Sequence, residues 1–154
     1  MRMATCLAVI LIVSLSSLPQ LSWTQTSASS AERQLFDAAN RERKNHGLPT
    51  LQWDEALAKA ARRHAAEMAN QGTISHQFPG EPSMPARATK AGAHFTSLAE
   101  NVAQAPSAPA VHDLWMHSPP HRSNLLDKDM DSVGIGAVQR NRELFAVEDF
   151  SKAK

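Results

Sequence analysis

Histidines are the residues of this chain best suited to chemistry. The sequence has 154 residues and seven histidines, five of which fall between His76 and His121. Imidazole transfers protons near neutral pH and is the commonest metal ligand in proteins. This segment is also the part of the chain with the least regular pattern, and loops on a rigid scaffold are where functional sites concentrate. The sequence therefore predicts a site built from histidines of this segment.

Local motifs do not complete such a site. The HExxH spacing of zinc proteases, the CxxC spacing and the GxSxG elbow of hydrolases are all absent from the sequence. His117 and His121 have a spacing that would place both rings on one helix face, but Pro119 and Pro120 prevent one helix from running through them. We therefore expect these two rings to diverge and any site to be assembled from residues distant in sequence.

The N-terminal residues predict an export signal. Arg2 precedes an apolar run over residues 4–13, which is short for a membrane span and typical of a secretory signal. We predict a signal peptide over residues 1–28, cleaved after Ala28, and a single domain over residues 29–154; an uncleaved N-terminal anchor is the alternative. Cleavage would remove Cys6, the single cysteine, so a thiol nucleophile and an intrachain disulfide are excluded. No later stretch is apolar enough to span a membrane.

Charge and composition narrow the class of protein further. The chain has 16 basic and 15 acidic residues and is 42% hydrophobic. A chain this apolar is not disordered, and one this evenly charged lacks the basic field of a nucleic-acid binder. We expect one globular domain, a monomer with no nucleic-acid partner.

Capping residues and periodicity place the elements that must position the histidines. Ser29 and Glu32 have capping-box spacing and open a predicted helix over residues 31–45. Asp54 caps a second helix to about Gln71, in which we expect His64 to be a packed or surface residue and not a ligand. Further predicted elements are a short helix over 85–91, a strand over 98–103, a helix from 107 to 117, and a hairpin of strands 133–139 and 144–150. Helices first and a hairpin last favour an α+β fold.

Six short stretches, taken in order, resemble one known family. They are NRER at 40–43, GLPTLQWD at 47–54, ISHQ at 74–77, AEN at 99–101, WMHSPPHRSNLL at 115–126 and GIG at 134–136. This order resembles the CAP superfamily of cysteine-rich secretory, antigen 5 and pathogenesis-related proteins (the SCP domain), and best its compact bacterial branch. The resemblance implies a three-layer α-β-α sandwich with a small antiparallel sheet and a central cleft.

The resemblance also implies which residues line that cleft. Two histidines of the family hold a divalent metal, often zinc; carried over, they are His76 and His121, with Glu100 as the nearby acid. Ser118 stands where animal and plant members have a second glutamate, and His117 is either a third imidazole at the rim or a solvent-facing replacement. Glu100 would complete the metal's ligands or orient an imidazole from behind. The alternative is a hydrogen-bonded cluster with a purely structural role.

These observations favour a binding module over an enzyme. We expect an exported bacterial protein, secreted or periplasmic, whose cleft takes zinc or another divalent cation and whose partner is an extracellular or envelope ligand. No oxyanion donors and no catalytic residues can be identified, so catalysis is not predicted. A metal-assisted hydrolase of peptide, ester or cell-envelope bonds is one alternative, and binding of an apolar ligand such as a lipid between helices is another.

Overall fold

The computed structural model describes residues 28–154, which form five helices and a four-stranded sheet. The predicted signal segment up to residue 27, with Cys6, lies outside the described residues. The helices are α1 Ser30–Asn45, α2 Glu55–Gln71, α3 Met84–Ala91, α4 Ala108–His117 and α5 Pro119–Leu125. The strands are β1 Gln52–Trp53, β2 Phe95–Ala105, β3 Ser132–Arg140 and β4 Glu143–Ala153. No helix within residues 28–154 is both long and apolar enough to cross a membrane.

The sheet is built on the predicted hairpin. Its strand order is β1-β3-β4-β2, with β4 antiparallel to both β3 and β2. The predicted antiparallel sheet is confirmed for β2, β3 and β4, with one exception at the edge, where the two residues of β1 run parallel to β3. Backbone bonds explain the exception, since Gln52 donates to the Asp131 carbonyl at 2.8 Å and Asp54 to the Val133 carbonyl at 2.9 Å. A strand of two residues is too short to show alternating hydrophobicity.

Capping side chains fix where the two long helices begin. The predicted capping box is confirmed: the Ser29 hydroxyl accepts from the Glu32 N–H, and the Glu32 carboxylate accepts from the Ser29 N–H. Asp54 accepts from the Leu57 N–H at 3.0 Å and begins α2, which ends at Gly72 in the left-handed conformation. These caps orient the two helices that cover opposite faces of the sheet.

Helices cover both faces of the sheet and give the implied three-layer sandwich. One face packs against α1, α4 and α5 through a core that includes Leu35, Trp115 and Ile135. The other face packs against α2 through Ala61, Met68 and Val147, among others, and α3 lies beside α2. The described residues bury this core without any cysteine.

Pro119 and Pro120 divide what would be one helix into two. The helix α4 stops at His117, as predicted, but the chain resumes at once as the unpredicted helix α5. Proline is tolerated in a first helical turn because the N–H groups there have no partner inside the helix. His117 and His121 therefore lie on different helices, as the two prolines indicate.

Candidate functional site

His76 and Glu100 form the centre of the candidate site. His76 lies between α2 and α3, and Glu100 lies on the edge strand β2. The Nδ1 atom of His76 is 2.8 Å from Oε1 of Glu100, and the two side chains are 64% and 4% exposed. Because a carboxylate only accepts, Nδ1 carries the hydrogen, and the lone pair of the neutral ring is on Nε2. The contact leaves an exposed imidazole with one nitrogen available.

Arg87 donates hydrogen bonds to both His76 and Glu100. The sequence analysis did not identify this residue. Its Nη2 donates to the second oxygen of Glu100, and its Nη1 donates to the backbone carbonyl of His76 at 3.1 Å. The side chain is only 7% exposed. A single arginine in a short helix carries no pattern that distinguishes a buried ion-pair partner from a surface residue, and so the sequence gives no warning of this role.

Two asparagines dock His121 against the same strand. Nδ2 of Asn101 donates to the His121 carbonyl at 3.1 Å, and Nδ2 of Asn124 donates to Oδ1 of Asn101 at 3.0 Å. Asn124 also reaches the Glu100 carbonyl at 3.4 Å. Partial burial, and next the charge of His76, lower the pKa of His121. The structure thus brings His121 within electrostatic range of His76.

Ser118 and His117 are less closely connected to this centre. Ser118 lies at the junction of α4 and α5, where its N–H donates to the Trp115 carbonyl at 3.2 Å, and its hydroxyl caps neither helix. The hydroxyl has no hydrogen-bond partner within residues 28–154 that would activate it. The His117 ring is 78% exposed, and its Nδ1 lies 2.9 Å from the Asp113 carbonyl of its own helix. This geometry fits the solvent-facing alternative for His117.

A buried histidine–glutamate pair braces the segment that carries His76. His64 on α2 is fully buried, which agrees with its prediction as a packed residue. Its Nε2 donates to the Ser75 carbonyl at 2.7 Å, and its Nδ1 lies 2.7 Å from Oε1 of Glu81. The other oxygen of Glu81 accepts from the Phe78 N–H at 3.0 Å. His64 therefore ties the residues on both sides of His76 to the helix behind them.

Two adjacent acids on β4 lie under the site and were also missed. Glu148 and Asp149 are both 0% exposed. Burial raises the pKa of Glu148 to about 8, and a hydrogen bond from Asn101, which lowers the pKa, offsets only part of this effect. Burial and the charge of Glu100 raise the pKa of Asp149, and Arg87 partly offsets them. The only sequence signal was a pair of acids inside an otherwise apolar strand.

The candidate site offers two imidazoles as nitrogen donors. No three His, Cys, Asp or Glu side chains in the described part of the chain are grouped as a metal cage. Glu100 already accepts from His76 and Arg87 with its two oxygens, which favours its orienting role over direct ligation. His76 Nε2 and the imidazole of His121 are the remaining donors, so water would have to complete a four-coordinate zinc.

Comparisons with known proteins agree with this architecture. The sequence model of the cysteine-rich secretory protein family (CAP) matches residues 36–150. The structure is similar to an extracellular protein with an SCP domain from Bacillus anthracis, with a TM-score of 0.74 and 28% identity. It is also similar to an outer surface protein from Borrelia burgdorferi, with a TM-score of 0.74 and 25% identity. A cysteine-rich secretory protein from Staphylococcus aureus has a TM-score of 0.64 and 26% identity.

The extent of these matches differs. They cover 79%, 80% and 79% of this chain, respectively. The chain spans 40% of the Bacillus protein and 38% of the Staphylococcus protein, but 93% of the Borrelia protein. A search of curated protein sequences finds no match.

Proposed function

Because the chain belongs to the cysteine-rich secretory protein (CAP) family, we propose that it is an exported bacterial binding module that takes up a divalent cation through His76 and His121. Export is supported by the predicted signal segment and by the relatives described as an extracellular and an outer surface protein. Zinc is the cation best matched to imidazole nitrogens with water completing the coordination.

One observation carries the proposal: the Nδ1 of His76 is engaged by a buried carboxylate while the ring itself is exposed. The 2.8 Å contact with Glu100 sets the tautomer of His76 and fixes the orientation of its ring. Arg87 keeps Glu100 in place, and Asn101 keeps α5 against β2. Such support from behind is what a histidine needs to bind a metal from its outer side.

The chain's own residues have distinct parts in this proposal. His76 and His121 supply the nitrogen donors, Glu100 orients the first of them, and Arg87 balances the charge of Glu100. A bound cation would supply positive charge and open coordination positions for an oxygen of an extracellular ligand. The affinity should be moderate, since only two protein nitrogens take part and both must be unprotonated.

Zinc titration by calorimetry tests the site. We expect the unmodified domain to bind zinc. His76→Ala and His121→Ala should each weaken zinc binding at least about tenfold, because loss of a residue that only orients a metal ligand already costs about that much, and loss of the ligand itself should cost no less. His117→Ala is the matched control, because that ring is exposed and bonds only within its own helix. Equal zinc uptake by the unmodified domain and by the His76 and His121 variants would refute the proposal.

The two alternatives are weaker on the geometry. A hydrolase that used Ser118 would need a base beside it, and its hydroxyl has no such partner within residues 28–154. The groove between α1 and α4 has Asp37, Arg41 and Asp113 beside Ala38, Pro109 and Met116, so an apolar ligand there would have to pack against charged groups. A hydrolase would be recognised by activity that chelator and Glu100→Gln abolish.

A further inference from the structure

Asp149 lies directly behind Glu100. The two residues are cross-strand partners in the β2–β4 register, and so their side chains share one face of the sheet. Asp149 is 0% exposed, and within residues 28–154 no N–H or O–H group donates to either of its carboxyl oxygens. A buried carboxylate without donors is costly, so the protonation of this group requires an explanation.

The helix α2 covers the side of the sheet on which Asp149 and Glu100, the acid pair, are buried. On the far side of Asp149 the register partner is Gly134, and a Cβ there would lie 2.0 Å from the backbone nitrogen of Ala58. The backbone of α2 therefore sits directly on the sheet next to Asp149. In such a place two carboxylates interact strongly, because little solvent separates them.

A count of charges shows which form the pair adopts. The charged or titratable groups around Asp149 and Glu100 are Arg87 on α3, His76 beyond Glu100, and Glu81, whose Oε1 lies 3.7 Å from Nη1 of Arg87 and 2.7 Å from Nδ1 of His64. When His76 is neutral, one guanidinium faces two carboxyl groups, which cannot both be ionised at close range. Glu100 accepts hydrogen bonds from His76 and Arg87 and so carries the negative charge. The proton is left on Asp149, whose pKa is raised by burial and by Glu100.

We propose that Asp149 is a positioning residue that stays protonated at neutral pH and donates its hydrogen to Glu100. Asp149 would be the third hydrogen-bond donor to Glu100, after His76 and Arg87. Together the three donors hold the Glu100 carboxylate in the orientation in which it accepts from Nδ1 of His76. This inference rests on the proposed cation site for its purpose, but the protonation of Asp149 is a property of the metal-free protein. Asp149 lies outside all six sequence stretches that carry the family resemblance.

Infrared spectroscopy of metal-free protein with ¹³C-labelled aspartate tests the protonation directly. At pH 7 we expect a label-sensitive band of a protonated carboxyl group, which Asp149→Asn removes. Glu148→Gln is the matched control, because Glu148 is the adjacent buried acid on the other face of β4, and its loss should leave the labelled band in place. Absence of the band from the unmodified protein would overturn the inference, whatever the protein does with zinc.

Two variants then test the positioning role. Asp149→Asn keeps a neutral donor for Glu100, so we expect unchanged ¹⁵N shifts of His76 and a zinc affinity within about threefold of the unmodified protein. Asp149→Leu removes the donor, and we expect altered His76 shifts and a loss of about 10- to 100-fold in affinity. Unchanged shifts in Asp149→Leu would refute the positioning role. Absence of zinc binding by the unmodified protein would refute the proposed function alone, since the band and the shifts are measured without metal.

Discussion

The two histidines of the site differ in what surrounds each ring. His76 is exposed and has its Nδ1 engaged by Glu100, whereas His121 is half-buried and held through its backbone by Asn101. The first ring has a defined tautomer, and the second is desolvated. Desolvation favours the neutral imidazole of His121, and a neutral imidazole is the form that binds a cation.

The titration of His121 can be checked in the metal-free protein. Burial and the charge of His76 both lower its pKa, so its NMR titration midpoint should lie below the ordinary value of 6.5. His76→Gln keeps a side chain in place but removes the charge, and should move the midpoint upward by part of the shift, because burial remains. His117→Gln should leave it unchanged. A midpoint at or above 6.5 in the unmodified protein would contradict the environment described for His121.

At the residue scale, sequence reasoning finds groups that belong to motifs and misses groups defined by burial. The structure brings His76 into contact with Glu100 and holds His121 against the same strand through Asn101, while a shared ligand site for these residues stays a prediction. Arg87 and Asp149 are equally close to the centre, but each acquires its role only when β2, β4 and α3 come together. The NxxR motif is explained differently, since Asn40 and Arg43 hold backbone groups and take no part in the site.

At the scale of elements, long amphipathic helices and the hairpin could be predicted, while short pieces could not. The bounds of α1, α2 and α4 follow from caps and periodicity, and agree with the structure to within a residue or two. The prediction over 98–103 covers only part of β2, because Thr96, Ser97 and Gln104 interrupt the apolar pattern on either side of it. The elements β1 and α5 depend on contacts with distant residues and leave no local pattern.

Close approach between α2 and β3 should make Gly134 intolerant of a side chain. An added Cβ would lie 2.0 Å from Ala58 N and 2.3 Å from Leu57 C, which are backbone atoms and cannot swing away. We expect Gly134→Ala to lower the free energy of unfolding by about 3 kcal/mol, measured by chemical denaturation. Gly80→Ala meets no atom within 4 Å and is strained only by its φ of +81°, so a loss of about 1 kcal/mol is expected there. Similar losses of unfolding free energy for Gly134→Ala and Gly80→Ala would mean that α2 shifts away from β3 to make room for the added methyl group.

At the scale of the whole molecule, one buried arginine connects two loop segments that are distant in sequence through hydrogen bonds to their carbonyls. Arg43 on α1 is 0% exposed and donates to the carbonyls of Pro49, Leu125, Asp127 and Met130 at 2.8–3.0 Å. Those carbonyls belong to the link after α1 and to the connection between α5 and β3. With no cysteine in the described residues, such polar ties and the apolar core hold the layers together.

Buried acids of β4 make the stability of the whole domain depend on pH. Glu148 is 0% exposed, with one oxygen accepting from Asn101 at 3.3 Å and the other without a partner in the described region. Its pKa rises from 4.5 to about 8 on folding. The folded protein thus binds more protons than the unfolded chain between these values. This contribution to stability is complete below pH 4.5 and is lost as the pH rises towards about 8.

We therefore expect the free energy of unfolding to fall between about pH 5 and pH 8, with Glu148 contributing up to about 1.4 kcal/mol per pH unit. Asp149 acts in the same direction, and His121, whose pKa is lowered, acts in the opposite one near neutral pH. Glu148→Gln removes one titration while keeping an oxygen acceptor for Asn101. Denaturant unfolding should show a smaller pH dependence for this variant and a stability above that of the unmodified protein at about pH 8. Equal slopes for the two proteins would mean that Glu148 is ionised in the fold, and that water or a cation reaches β4.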